Sequence, residues 1–255
     1  MKKYLYILFT VLMTACGHST SSSTKEVESA ELATPEQKLI ARVQAAHGVD
    51  NLEGKEVSFT FRDKQYVRNV FNNAYGYSRS GLNENGEMVI DSWRGDDFER
   101  TVNGVTVQVT EKDANAFKNS INSVFYFALL PASLTDPAVN VELLEETKIK
   151  GIEYAKIKVT FDEEGGGEDH HDIFIYWFNK ETNTMDYLAY EYFTNGGGIR
   201  FREAYNPRTV GGFRVQDYSN FEPPSGVELI DMDKAFEMGR MELVSDIVLT
   251  DANIN

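Results

Sequence analysis

Residues 172–179 read Asp-Ile-Phe-Ile-Tyr-Trp-Phe-Asn and carry an unbroken run of large apolar side chains. Successive side chains of a β-strand point to opposite faces, so a strand over this segment is apolar on both faces. An antiparallel strand with one face in water alternates apolar and polar residues instead. Both faces of this strand therefore need a cover. A helix layer can cover only one face of a curved sheet, which leaves the other to a second layer or to an apolar pocket.

The next two predicted strands, Met185–Phe193 and Ile199–Tyr205, extend this aromatic surface. A tyrosine ring favours burial while its hydroxyl needs a hydrogen-bond partner, a combination typical of a pocket wall. The alternative is that the rings fill the interior of the sheet, as they do in small barrels. We expect a ligand cavity here, lined by Phe125, Tyr176, Trp177, Tyr190, Tyr192 and Phe201.

Arg200 and Arg202 lie within the same aromatic strands. A guanidinium group matches the geometry of carboxylates and phosphates. We therefore expect the two arginines to bind an anionic head group at the mouth of the cavity. The alternative is that they simply pair with the neighbouring Glu203.

Strands with period-two alternation are predicted on both sides of this region, with turn-forming residues between them. Asn103-Gly104 is the strongest of these hairpin signals. Close spacing without intervening helices favours an antiparallel meander over βαβ units. The further predicted strands are Val57–Phe61, Gln65–Phe71, Tyr75–Leu82, Met88–Trp93, Phe98–Val102, Val105–Thr110, Val139–Ile149, Ile152–Phe161, Gly212–Phe221 and Met241–Leu249.

Two segments have helical periodicity instead. The first begins at Thr34-Pro35, where Thr is a suitable N-cap and Pro a suitable first residue, and it stops at Gly48. The second covers Glu111–Leu130 and is closed by Pro131. The fold class that follows is mainly β. We predict a single, strongly curved, unclosed antiparallel sheet with these two helices covering one face.

The start of the chain is typical of a lipoprotein signal peptide. Lys2 and Lys3 precede a short apolar run, and Thr14-Ala15 stands directly before Cys16, the one cysteine of the chain. The run is too short to span a bilayer, and the segment resembles the bacterial lipobox. We expect a signal peptide over residues 1–15, lipidation of Cys16, a flexible tether over 16–33 and one domain over 34–255.

This order of elements resembles the LolA/LolB lipoprotein-carrier architecture from Thr34 to about Leu249. The resemblance implies an unclosed half-barrel whose hollow is lidded by helices and holds acyl chains. The sequence also resembles an uncharacterised family of Bacteroidota lipoproteins, through Ala46-His47-Gly48 and the aromatic residues near 187–192. That second resemblance implies no activity. The residues after Cys16 lack the acidic cluster that is associated with surface export in such lipoproteins, so we expect the outer membrane, facing the periplasm.

Composition restricts the partners. The formal net charge is −15. A negative surface repels the phosphates of nucleic acids, which argues against a function in DNA or RNA binding. Anionic membrane surfaces are repelled as well, so membrane attachment has to come from acyl chains.

Residues 163–172 are the most suggestive polar segment. Asp169, His170 and His171 are residue types that bind zinc. Adjacent strand residues point to opposite faces, however, and three glycines precede them. We favour a solvated hairpin loop and keep a metal site as the alternative. His47, at the end of the first helix, is expected to interact with the last carbonyl groups of that helix.

The chain lacks the Gly-x-Ser-x-Gly, His-Glu-x-x-His and P-loop motifs. Asp186, Glu191 and Glu203 are candidates for acid–base chemistry. Our prediction is an anchored envelope protein that binds a hydrophobic or lipid-like ligand in its aromatic cavity and has no cofactor. The alternatives are an envelope hydrolase using Asp, Glu or His at the same cleft and a structural lipoprotein that docks a protein.

Overall fold

The computed structural model describes residues 33–72, 74–167, 170–193 and 196–255. Cys16 and Asp169, two of the predicted site residues, lie outside these ranges. Residues Pro35–Asn255 form one compact unit. Three α-helices occur in the described chain: α1 (Pro35–His47), α2 (Glu111–Ala128) and α3 (Met232–Glu237).

The two predicted helices are confirmed, and their ends follow from local chemistry. The hydroxyl of Thr110 caps α2 by accepting the backbone N–H of Asp113 at 3.2 Å. Helix α1 is followed by Gly48 at φ 71°. A Cβ atom at Gly48 would lie 2.0 Å from the carbonyl oxygen of Gly212. Only glycine therefore allows α1 to approach this turn of the sheet so closely.

The described strands are all paired antiparallel. In chain order they are β1 (Val57–Phe61), β2 (Lys64–Phe71), β3 (Ala74–Leu82), β4 (Met88–Arg94), β5 (Asp97–Val102), β6 (Val105–Val107), β7 (Val139–Leu143), β8 (Thr147–Ile149), β9 (Ile152–Phe161), β10 (Ile173–Asn179), β11 (Met185–Tyr192), β12 (Gly198–Val210), β13 (Phe213–Glu222), β14 (Glu242–Ile247) and β15 (Thr250–Ile254).

These strands form two sheets, whereas we predicted one. The first sheet has the order β15-β1-β2-β3-β4-β5-β6, and the second has the order β14-β13-β12-β11-β10-β9-β7, with β8 paired to β9. The mainly β, antiparallel and unclosed character of the prediction is confirmed. The division arises where the predicted final strand breaks, because β14 pairs with β13 in the second sheet while β15 pairs with β1 in the first.

At this junction, hydrogen bonds from side chains replace a continuous ladder of backbone hydrogen bonds. The buried carboxylate of Asp217 in β13 accepts the backbone N–H of Leu249, which lies between β14 and β15, at 3.0 Å. Arg208 of β12 lies 3.1 Å from the same carboxylate and also donates to the carbonyl oxygen of Leu249. The chain can thus leave one sheet and enter the other without unpaired backbone groups at Leu249.

The two faces of the second sheet have different covers. The inner face, which bears Phe174, Tyr176 and Phe178, packs against α1 and α2. The outer face, which bears Trp177 and Phe201, is covered by residues of the C-terminal segment that includes α3. We did not predict α3. Its six residues are too few to produce a periodic signal in the sequence.

A third cluster joins α2 to the first sheet. Phe125 of α2 meets Phe59 and Tyr77 at ring-centroid distances of 5.3 and 5.1 Å. Helix α2 therefore packs on the first sheet through Ile121 and Phe125 and on the second sheet through Tyr126 and Phe127. The described helices include none with the length and apolar character needed to cross a membrane.

Candidate functional site

A pocket of about 580 Å³ lies between α2, the inner face of the second sheet and the end of the first sheet. Apolar and aromatic side chains form one part of its lining: Phe61, Val124, Phe127, Ala128, Tyr190, Tyr218, Val244, Ile247 and Leu249. Polar side chains form the other part: Arg62, Ser123, Arg200, Arg202, Gln216, Asn220 and Ser245. Asp, Glu and His do not occur among the described lining residues.

Arg202 is the most unusual side chain in this lining, because it is a buried cation. It is 7% exposed, and its Nη2 donates to the hydroxyl of Tyr190 at 2.8 Å. The guanidinium carbon lies 4.1 Å from the ring centroid of Phe127. Its Nε is buried and has no hydrogen-bond partner in the described residues. Burial lowers the pKa of Arg202 from its ordinary value, and the tyrosines around it oppose this effect.

Strand β13 supplies a polar wall beside Arg202. Residues 216, 218 and 220 share the inner face because side chains alternate along a strand. Gln216 donates from Nε2 to the carbonyl oxygen of Met185 and to the hydroxyl of Tyr218, both at 2.9 Å. Burial raises the pKa of Tyr218 to about 12. The Tyr218 hydroxyl is therefore a neutral group that accepts a hydrogen bond within the wall.

Asn220 is the cross-strand partner of Arg202. Its Nδ2 donates to the hydroxyl of Ser245 at 3.2 Å, while its Oδ1 is buried without a partner among the described residues. The pairing of β13 with β14 shifts register between Asn220 and Phe221. Such irregularities are frequent beside binding sites because they redirect side chains.

The alternation of each strand separates the eight residues that we predicted as ligand-binding. Tyr190, Arg200 and Arg202 line the pocket. Trp177 and Phe201 point to the outer face, where their ring centroids lie 5.6 Å apart in the core under α3.

The other three aromatic residues have separate environments. Tyr176 is fully buried on the inner face, and its hydroxyl lies 2.8 Å from that of Tyr126. Phe125 is buried against the first sheet. Tyr192 lines a smaller cavity of about 230 Å³ instead of the large pocket.

The smaller cavity lies next to the large pocket, and both are lined by Ser123, Phe127 and Tyr190. The ring centroids of Phe127 and Tyr190 are 5.1 Å apart. This aromatic contact between α2 and β11 is therefore the partition between the two spaces.

Arg200 and Arg202 do not pair with Glu203, which was the alternative in the sequence analysis. Glu203 lies 2.5 Å from the amine of Lys150 on the other side of the sheet. Arg200 donates to the carbonyl oxygen of Ile199 at 2.8 Å and lies 3.7 Å from the carboxylate of Glu222. The two arginines thus differ, since Arg200 has an acidic neighbour.

Of the predicted polar segment, His170 and His171 lie in a turn before β10. His170 Nδ1 lies 2.9 Å from the carbonyl oxygen of Gly167, and the rings of His170 and His171 are 3.9 Å apart. Both histidines precede the strand, in line with the favoured interpretation of this segment as a loop, so strand alternation does not separate their rings. In the part of the chain that the structure describes, no group of three or more His, Cys, Asp or Glu side chains is placed to hold a metal ion.

His47 has a different role from the expected one. Its Nε2 accepts the backbone N–H of Met185 at 3.0 Å, so the ring connects α1 to β11 and does not donate to the end of its own helix. Burial, assisted by the charge of Arg214, lowers the pKa of His47 to about 3. The imidazole is therefore neutral at physiological pH.

Sequence reasoning missed Gln216, Asn220 and Phe127 as lining residues. The usable signal in β13 is the series of polar or hydroxyl-bearing residues at 216, 218 and 220, which share one face. Phe127 has no comparable signal. It lines the pocket because α2 crosses both sheets, and that crossing depends on long-range packing.

Comparisons with known proteins give one family and several distant structures. No curated protein matches the chain. The structure is similar to a LolA superfamily protein from Nitrosomonas europaea, at 11% identity and a TM-score of 0.48, over 88% of this chain and 94% of that one. A putative outer membrane lipoprotein-sorting protein domain from Vibrio parahaemolyticus matches at 8% identity and a TM-score of 0.40, over 78% and 98% of the two chains.

A DUF1329 family protein from Desulfovibrio piger matches at 9% identity and a TM-score of 0.37, over 88% of this chain and 94% of that one. These values are too low to transfer a function from any of the three structures. The family assignment rests on separate sequence evidence, a model that matches residues 88–247. Because this match spans more than half of the sequence, the chain belongs to DUF6503, a family of unknown function.

Proposed function

We propose that this protein is a lipid-anchored protein of the cell envelope that binds a hydrophobic or lipid-like ligand in the pocket between α2 and the second sheet. The observation that carries the proposal is the pocket itself. Its volume of about 580 Å³ lies within the roughly 300–1,000 Å³ that is typical of small-molecule sites. Its mixed lining suits a molecule with an apolar part and a polar part.

The apolar part of the ligand would lie along α2. Val124, Phe127 and Ala128 occupy positions i, i+3 and i+4 and therefore form one stripe of the helix. Ile247 and Leu249 face the same pocket from the second sheet and the junction. Each methylene group that such a surface removes from water contributes about 0.8 kcal/mol, so a chain of several methylenes has ample driving force.

Membrane attachment would come from the N-terminal segment. Lys2-Lys3, the apolar run and Thr14-Ala15-Cys16 support a cleaved signal peptide with lipid on Cys16. The proposed location is the outer membrane with the domain in the periplasm. The tether of residues 16–33 would then give the pocket access to lipid-like molecules near the membrane.

Ligand binding can be tested by native mass spectrometry and organic extraction of the purified protein. We expect a co-purified amphiphile in the wild type and its loss in Ala128→Phe, which places a ring in the pocket. Ala116→Phe makes the same change at an exposed position of α2 and is the matched control. An empty wild-type protein, or equal occupancy in Ala128→Phe, would contradict the proposal.

The anchor has its own test. Labelled palmitate should enter the wild-type protein in growing cells and should not enter Cys16→Ser, because the thiol is the acylated group. Protease added to intact cells should spare the domain if it faces the periplasm. Incorporation of labelled palmitate into Cys16→Ser would reject the anchor. Digestion of the domain by protease in intact cells would reject the periplasmic orientation.

A further inference from the structure

We propose that the ligand of this pocket is an amphiphile whose head group carries a single negative charge, a carboxylate, and that Arg202 is the residue that binds it. This inference rests on the proposed function, since it names the ligand class of the same pocket.

The first argument is the state of Arg202. A guanidinium group has five N–H donors and no acceptor. The described residues pair one of the five, the Nη2 bond to Tyr190, and leave Nε buried without a partner. Removing a charge from water is costly unless an opposite charge or several hydrogen bonds compensate it. Tyr190 and the ring of Phe127 supply only part of that compensation.

Several other buried or half-buried cations of the chain have ion pairs. Lys156 lies 3.3 Å from the carboxylate of Asp233. Arg79 and Arg100 each lie 2.6 Å from Asp91. Arg208 lies 3.1 Å from Asp217. Arg68, also 7% exposed, has none with the described residues, but its Nη2 donates to the carbonyl oxygens of Leu52 and Lys55. Arg202 has no such ion pair with the residues that the structure describes, although it is as deeply buried as Lys156.

The second argument is the local charge of the pocket. The chain has a net charge of −15, yet the described lining contains Arg62, Arg200 and Arg202 and no acidic side chain. Basic residues are concentrated here against the overall charge of the protein. Arg62 is exposed and Arg200 already has Glu222 nearby, so one uncompensated buried charge remains. One buried cation favours one negative charge on the ligand.

The third argument is Asn220, which lies opposite Arg202 across the β12–β13 pair. Its buried Oδ1 lacks a donor among the described residues. A head group that gives an anionic oxygen to Arg202 and a hydroxyl or amide N–H to Asn220 satisfies both residues. A hydroxylated or N-acylated carboxylic acid has this combination.

The test measures binding by calorimetry with three ligands of equal chain length: palmitate, 1-hexadecanol and hexadecyl phosphate. The proteins are the full-length wild type, Arg202→Met and the control Arg240→Met, which changes an exposed arginine outside the pocket. We expect the wild type and Arg240→Met to bind palmitate most tightly. Arg202→Met should weaken palmitate binding by roughly 10- to 100-fold, because charge-assisted hydrogen bonds are lost, and should leave hexadecanol binding unchanged.

The outcomes separate the two proposals. Binding of palmitate and hexadecanol with equal affinity would keep the proposed function and reject the anionic head group. An unchanged palmitate affinity in Arg202→Met would reject the role of Arg202. Tighter binding of hexadecyl phosphate than of palmitate would overturn the single carboxylate. If none of the three ligands binds, the proposed function fails and this inference fails with it.

Two further measurements exclude a merely structural role for Arg202. Arg202→Met loses no ion pair, so its melting temperature without ligand should equal or exceed that of the wild type. Arg202→Lys keeps the charge but not the planar fork. It should therefore retain part of the preference for palmitate over hexadecanol, and a complete loss in this folded variant would contradict the charge argument.

Discussion

His47 shows how one buried side chain makes the stability of this fold depend on pH. The folded state holds the imidazole neutral, with a pKa of about 3, because the ring is buried and faces the charge of Arg214. Its Nε2 also has to stay unprotonated to accept the N–H of Met185. The unfolded chain returns the pKa to its ordinary value of about 6.5.

The direction of the pH effect follows from proton binding. Between pH 6.5 and 3 the unfolded state holds more protons on His47 than the folded state. The contribution of His47 to the free energy of unfolding is therefore complete above about pH 6.5. It is lost as the pH falls toward 3, at up to about 1.4 kcal/mol per pH unit. When the pH is lowered from 7 to 4.5, the free energy of unfolding measured in urea should fall less for His47→Gln than for the wild type.

His171→Gln provides the control for this prediction, since His171 is exposed in the turn before β10. Its unfolding free energy should follow the wild-type dependence on pH. Equal pH dependence in the wild type and in His47→Gln would show that the His47 ring is not held neutral.

Residue chemistry also decides how much of the site was predictable. Tyr190 was predicted because a tyrosine ring with a polar hydroxyl suits a pocket wall, and Arg202 because it is a cation within an aromatic strand. The structure places both in the lining of the pocket. Trp177 and Phe201 are also aromatic residues of these apolar strands, but their side chains point to the opposite face of the sheet. The sequence cannot show which face lines the pocket while both faces are apolar. Which face holds the pocket depends on the position of α2.

At the scale of elements, β10 illustrates what its sequence could and could not predict. Its apolar character on both faces correctly indicated that each face is covered, but left open whether the second cover is a layer or a pocket. The cover of the outer face is α3 with its flanking residues, which are remote in sequence from β10. Because a helix as short as α3 is stabilised mainly by packing on the sheet, the local periodicity of the sequence could not identify it.

The buried pair of Lys156 and Asp233 fixes α3 to the outer face. The two side chains are 7% and 2% exposed and lie 3.3 Å apart, and the Lys156 amine also donates to the carbonyl oxygen of Ile230. Asp233→Ala would leave a buried amine without its carboxylate. We expect a loss of about 3 kcal/mol in the free energy of unfolding, measured in urea, and faster amide exchange around residues 229–238.

Asp231→Ala removes an acidic residue from the same segment and is the matched control. Asp231 pairs with Lys234 at the surface, and exposed pairs contribute little. Its unfolding should therefore be indistinguishable from that of the wild type. If Asp233→Ala were equally neutral, the attachment of α3 would depend on its apolar contacts alone.

At the scale of the whole molecule, the pocket depends on the junction between the sheets. Phe61 comes from the first sheet, Ile247 from the second and Leu249 from the link between them. The unclosed, mainly β architecture was predictable from alternation and turn signals. The division into two sheets was not, because the segment 241–249 reads as one strand and only the distant partners of Asp217 determine where it breaks.

Asp217 therefore links the stability of the fold to the position of the pocket residue Leu249. Its two oxygens accept from the Leu249 N–H at 3.0 Å, from Asn206 at 2.7 Å and from Arg208 at 3.1 Å. Asp217→Asn would place an NH₂ group against these donors and remove the charge that compensates Arg208. We expect about 3 kcal/mol less stability and weaker binding of palmitate, because Leu249 and Ile247 lose their fixed positions in the pocket wall.

Asp251→Asn is the matched control for the junction. Asp251 is exposed in β15 at φ 53°, a conformation that asparagine tolerates well, so both stability and palmitate affinity should remain at wild-type values. Urea unfolding and calorimetry on the same samples separate the two effects. If Asp217→Asn lowers the free energy of unfolding but leaves palmitate affinity intact in the folded protein, the junction supports the fold without shaping the pocket. A parallel loss of both quantities is expected, since Ile247 and Leu249, at the junction between the two sheets, also line the pocket.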